Sequence, residues 1–160
     1  MNLSQCAAFW RRPLTGTWYR AIQSRFWTTA LATHQIRVVP SRFNAGATAS
    51  PQFEILYLSE NHLVTLFEVQ ALLGSLTQPG GVIPHPRQAW TVPNVNVQLQ
   101  AVADLTQESQ QQSLETTAQE LTEDWRGYQQ RSPTQALGAA LFVVPGRGRL
   151  SYPLGEAVIL

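Results

Sequence analysis

Glu68 stands between Phe67 and Val69 at the end of an apolar run, FEILYLSENHLVTLFEV (53–69), that also carries Tyr57. A carboxylate there is either a solvated residue on a partly exposed helix or a charge held in a site because acid–base or electrostatic chemistry needs it. On a helix over 59–74, Glu68 shares a stripe with Asn61 and Thr65, and that stripe could face water. Val64 and Leu72 lie one turn to either side, so the stripe is not cleanly polar. Taken alone, these residues favour the solvated reading, since unpaired Glu is rarely buried. Tyr57 falls in an extended stretch that is apolar on both faces, where a tyrosine is more often core than functional. Arg20, in the aromatic run TWYRAI, is a charge in a strand that needs a partner or a ligand. Arg42 and Asn44 occupy a loop, where binding residues concentrate, although an arginine there is more often a surface partner of some acid.

Other chemistries lack their residues. The three histidines, His34, His62 and His85, have no metal-ligand spacing, and Cys6 is the only cysteine. There is no GxGxxG, no Walker loop and no GxSxG elbow. All eleven basic residues are arginine, and the formal charge is +1. Arginine suits planar recognition of phosphate or carboxylate, although a GC-rich coding bias would give the same composition. Mild net charge and scattered arginines argue against direct nucleic-acid binding. With no secretory h-region and no apolar stretch of membrane-spanning length, a soluble cytoplasmic protein is expected.

The elements that must position these residues are short and irregularly ordered. Strands are expected over 16–22, 35–40, 53–58 and, most clearly, 94–102, where Val95, Val97, Leu99 and Ala101 alternate with Asn94, Asn96, Gln98 and Gln100. Helices are expected over 26–34, over 59–74 with Ser59 as N-cap and Gly74 as C-cap, and over 132–142 with Ser132 as N-cap and Pro133 at the first position. The glutamine-rich stretch 106–124 reads as one or two exposed helices with a thin stripe of Leu114, Ala118 and Leu121. Residues 41–51 and 77–90 read as loops, and 148–160 as one or two closing strands. The mixture implies a single α+β domain over 16–160, preceded by an extension over 1–15.

In order, WYRAI, SRFNAG, ILYLSENHLVTLFEV, SPTQALGAALF and GRLSYP resemble the RES domain family, named for recurrent Arg, Glu and Ser residues. The resemblance covers about residues 17 to 154, and its middle motif is the most specific part. It implies a fold similar to ADP-ribosyltransferases, with a mixed, mainly antiparallel sheet. It implies a bacterial toxin that consumes NAD+ or transfers its ADP-ribose and is neutralised by a Xre-type helix-turn-helix antitoxin. NAD+ is then the substrate, with no metal and no second cofactor. Matched to the family pattern, the early-strand arginine is Arg20, the loop pair is Arg42 and Asn44, the tyrosine is Tyr57 and the glutamate is Glu68. The resemblance thus gives Glu68, Arg20 and Tyr57 catalytic roles, and Arg42, Asn44 and Tyr57 roles in substrate binding. The family's late YPSA segment is Tyr152, Pro153, Leu154 and Gly155 here, so Leu154 replaces the serine. Leucine offers no side-chain hydrogen bond, which opens an alternative: a catalytically impaired module that binds nucleotide or antitoxin without turnover. A closing segment shorter than the family's would leave apolar residues exposed, favouring homo-oligomers.

Overall fold

The structure, a computed structural model, describes residues 1–9, 11–74, 81–84 and 88–143. The expected closing strands, with Ser151 and Leu154, lie outside the described residues, as do residues 77–80 and 85–87 of the 77–90 loop. In chain order, a 3-10 helix (Leu3–Ala8) precedes β1 (Arg11–Tyr19) and β2 (Ile22–Gln23). Three short 3-10 helices follow, Ser24–Thr29, His34–Arg37 and Gly46–Thr48. Then come α1 (His62–Glu68), β3 (Leu72–Gly74), β4 (Val82–Pro84), β5 (Trp90–Thr91) and β6 (Asn94–Ala103). The described chain closes with α2 (Glu108–Ser113), α3 (Ala118–Thr122), a 3-10 turn (Trp125–Gly127) and α4 (Pro133–Val143).

The fold is α+β, as the mixture of short elements implies. Its described strands pair two by two, β1 with β6, β2 with β5 and β3 with β4. The last two pairs are antiparallel, with Ile22 opposite Thr91 and Leu72 opposite Pro84. Contacts group the chain into two compact units. The first takes Met1–Leu14, Thr33–Ile55 and the described residues from Leu99 onward; the second takes Thr15–Ala32 and Leu56–Gln98.

In the first unit, the Leu3–Ala8 helix packs against α4 and buries Cys6, so the N-terminal residues expected as an extension carry structure of their own. Helix α4 begins where the sequence implies. Ser132 Oγ accepts from the Gln135 backbone N–H at 3.2 Å, and Gln135 Oε1 accepts from the Ser132 N–H at 3.1 Å, a reciprocal capping box. Gly138 lets α4 lie against the chain at Phe43, since a Cβ there would come within 1.9 Å of the Phe43 carbonyl oxygen. The segment QIRVVP, expected as a strand, instead forms the His34–Arg37 helix. The backbone N–H groups of Val38 and Val39 both donate to the Gln35 carbonyl, which turns the chain, and both valine side chains are exposed. The glutamine-rich stretch does divide into two short helices, with Leu114 and Leu121 buried and Ala118 exposed.

In the second unit, β6 and its alternation start as expected: Val95 and Val97 are buried while Asn94, Asn96 and Gln98 are exposed. The expected strand over 53–58 is not a strand. Its chain runs without a ladder until Ser59, whose backbone exchanges hydrogen bonds of 2.8 and 2.9 Å with Tyr19. The expected sixteen-residue helix shortens to seven residues. Its N-cap is Asn61, whose Oδ1 accepts from the N–H of Leu63 at 2.8 Å and of Val64 at 3.4 Å. Ser59 Oγ instead accepts from the Asn61 N–H, one step before the helix. The helix stops after Glu68 because Gln70 adopts φ 58°, and Gly74 belongs to β3, not to a helix end.

Candidate functional site

Arg20 lies in the two-residue break between β1 and β2. Its backbone N–H donates to the Pro93 carbonyl at 3.3 Å, extending the β2–β5 ladder by one contact. Its Nη1 is buried and has no hydrogen-bond partner among the described residues. Neither of the two described ion pairs, Arg12 with Asp104 and Arg37 with Glu54, includes it. Desolvation pushes the guanidinium pKa down, which is the signature of a cation taken out of water without a counter-charge.

The segment after Arg20 is fastened to the helix that carries Glu68. The Ala21 N–H donates to Thr65 Oγ1 at 3.1 Å, and both residues are buried. Thr65 lies three positions before Glu68, so the two share one side of α1. On the other flank of Arg20, the Tyr19 ring meets the His62 ring edge-on, with centroids 5.7 Å apart. Glu68 is the last residue of α1 and is exposed. Tyr57 is half-buried in the strand-free segment before Ser59. Arg20, Tyr57 and Glu68 thus belong to one compact unit, with α1 anchored beside Arg20.

The loop pair belongs to the first unit, and there the polar groups are occupied. Arg42 Nη1 donates to the carbonyls of Leu121 at 3.2 Å and Glu123 at 2.6 Å, collecting oxygens that the end of α3 leaves open. Asn44 is fully buried; its Nδ2 donates to the Phe53 carbonyl at 2.6 Å and its Oδ1 accepts from the Gly46 N–H at 2.7 Å. Gly46 has φ 61°, and a Cβ there would come within 2.7 Å of the Val38 carbonyl oxygen, so this turn depends on glycine. The structure therefore gives Asn44 a loop-shaping role. One further acid in this unit was not singled out from the sequence. Glu54 is buried, accepts a hydrogen bond from Thr33 and pairs with Arg37 at 2.6 Å. Its place in an apolar run was the one available signal.

The second unit also holds a cleft of about 340 Å³ lined by Gln23, Ser24, Arg25, Gln88 and Ala89. Among the described residues, no three His, Cys, Asp or Glu side chains are grouped to hold a metal ion. No described helix is long and apolar enough to cross a membrane.

Arg20, Arg42, Asn44, Tyr57 and Glu68 follow one another in the order that the family resemblance expects. The RES domain family model matches residues 17–153. The chain belongs to the RES domain family. The matched region contains all five candidate residues and stops one residue before Leu154. No curated protein and no solved structure matches this RES chain, so the likeness to ADP-ribosyltransferases stays an expectation of the family resemblance.

Proposed function

We propose that this RES protein binds NAD+ and cleaves the bond between nicotinamide and ribose. The observation that carries the reading is Arg20. A half-buried guanidinium whose Nη1 is buried without a partner among the described residues would be completed by a doubly charged pyrophosphate, to which arginine offers parallel charge-assisted donors. Breakage of the glycosidic bond leaves positive charge at the anomeric carbon, while the bonding pair departs with nicotinamide, which becomes neutral. Glu68 would supply the carboxylate that stabilises this oxocarbenium-like charge, as acids do in glycoside cleavage. Its position at the exposed end of α1 leaves room for a ligand to approach it. Tyr57 would offer a ring face to the nicotinamide. Arg42 has Nη1 committed to the end of α3, so its share in binding falls to its other guanidinium donors. The acceptor at the anomeric carbon is water, phosphate or a protein side chain. By this reading the protein acts as a toxin in the cytoplasm and is held in check by a Xre-type antitoxin.

A second reading, a RES module that binds nucleotide or antitoxin without turnover, draws on Leu154 in the serine's place and on the solvent exposure of Glu68. One assay separates the two. Purified protein is incubated with NAD+ and free nicotinamide is measured, with Glu68→Ala alongside. Release that falls by about 10²-fold or more in the variant supports the proposal. NAD+ binding without release supports the second reading.

A further inference from the structure

We infer that Thr65 is a positioning residue: its hydroxyl ties the backbone beside Arg20 to α1 and thereby sets where Glu68 stands relative to that arginine. This role rests on the proposal that Arg20 holds the anionic part of the substrate while Glu68 serves the bond that breaks. Thr65 is the one buried residue of α1, whereas Leu63, Leu66 and Phe67 are half-buried and Val64 is exposed. A polar side chain in the most buried place of a seven-residue helix runs against ordinary burial. It also runs against helix propensity, since β-branched threonine is a weaker helix former than alanine or leucine. The hydroxyl is compensated by the Ala21 N–H, which donates to Thr65 Oγ1 at 3.1 Å.

The register around Arg20 shows what this hydrogen bond replaces. Tyr19 and Ser59 exchange both backbone bonds, at 2.8 and 2.9 Å, as an antiparallel pair does. A ladder continued in that register would set Ala21 opposite Tyr57. The Ala21 N–H turns to α1 instead, and the pairing ends at a single bridge. The Arg20 N–H donates the other way, to the Pro93 carbonyl at 3.3 Å. The Arg20 backbone is therefore held from both sides, by β5's flank and by α1. On the helix, His62, Thr65 and Glu68 follow one another at three-residue steps, one row along α1. The first two members of the row meet the residues that bracket Arg20: the His62 ring meets the Tyr19 ring, and Thr65 Oγ1 meets the Ala21 N–H. Two tie points fix the direction of so short a helix, and Glu68 is the next residue along the row.

The test uses the full chain with NAD+ as substrate. Thr65→Val keeps the shape and removes the acceptor, Thr65→Ser keeps the acceptor, and thermal melting checks that both are folded at the assay temperature. Thr65→Val is expected to lower kcat for nicotinamide release about tenfold or more with KM little changed, because a misplaced acid weakens the transition state and not the grip on the anion. Thr65→Ser should stay near wild type. In a Glu68→Ala background Thr65→Val should cost little more, since the group it positions is gone. A folded Thr65→Val protein with wild-type kcat overturns the role. So does a Thr65→Ser protein as impaired as Thr65→Val, or an equal fall in the Glu68→Ala background. If the wild type releases no nicotinamide, or Glu68→Ala too little to compare, amide hydrogen exchange decides. Ala21 and Glu68 amides that exchange about tenfold faster in folded Thr65→Val than in wild type and Thr65→Ser keep the tie even where the cleavage reading has failed; unchanged exchange overturns it.

Discussion

Two arginines of one chain, Arg20 and Arg42, meet opposite environments. Arg42 sits in a loop whose polar atoms are accounted for: its Nη1 collects two helix-end carbonyls, and neighbouring Asn44 closes two hydrogen bonds while fully buried. Arg20 is half-buried beside a strand and keeps a buried Nη1 without a partner among the described residues. The first arrangement explains itself as architecture, since Arg42 Nη1 and both polar ends of the buried Asn44 amide have hydrogen bonds within the fold. The second does not, and an unexplained cost in a fold is where a ligand is to be sought. Both arginines match the family pattern equally well in sequence. Their surroundings tie Arg42 Nη1 to the fold, and on the proposed reading Arg20 holds an anion.

The largest expected effect lies in the satisfied region. Gly138→Ala would drive a Cβ to 1.9 Å from the Phe43 carbonyl oxygen, beside the loop that carries Arg42. We expect a loss of about 4 kcal/mol or more, seen as failure to recover folded protein or as a collapse of the thermal midpoint. Asn44→Ala comes next. It leaves the Phe53 carbonyl and the Gly46 N–H without their partner, costing about 2–4 kcal/mol in chemical denaturation. Arg20→Met should reverse the pattern: NAD+ affinity falls about tenfold or more, while stability stays level or rises because an uncompensated charge is gone. Equal stability losses in Asn44→Ala and Arg20→Met would erase the distinction between the two regions.

The smallest effect concerns pH. Asp104 is held below the ordinary carboxylate range by the Thr106 hydroxyl at 2.6 Å, with desolvation opposing and the Thr106 N–H, Gln107 and Arg12 assisting. A depressed folded-state pKa stabilises the protein above the unfolded-state value, about 4, and that contribution is lost as pH falls through the folded-state value. Asp104→Asn should therefore lower stability at neutral pH and flatten its decline below about pH 4. Urea midpoints measured across the acid range check this.

The sequence was most legible where local rules and tertiary packing agree. The alternation over 94–102 appears as β6, and Ser132 with Pro133 opens α4 with a capping box completed by Gln135. It was least legible where apolar residues do not mean a ladder. The valines of QIRVVP suit a strand, yet their N–H groups turn back onto Gln35 and the side chains face solvent. FEILYL is apolar on both faces, but Asn44, nine residues earlier, takes the Phe53 carbonyl that a neighbouring strand would have used. The helix expected over 59–74 lost its second half because Gln70 takes a left-handed conformation, which no residue type there announces. In the site, Arg20 was legible because a charge in an apolar strand is an anomaly under any fold. The loop-shaping use of Asn44 was not, since one carbonyl nine residues on decides it. The hydrogen bond between Gln23 and Gln88 was equally hidden, because the two lie 65 positions apart in sequence.

The most direct test measures nicotinamide release from NAD+ by wild type and Arg20→Met, across substrate concentrations, with both proteins shown to be folded. Release by the wild type is expected, with a KM raised about tenfold or more by Arg20→Met and the variant at least as stable. A folded wild type that neither releases nicotinamide nor binds NAD+, or an Arg20→Met protein with unchanged KM, would contradict it.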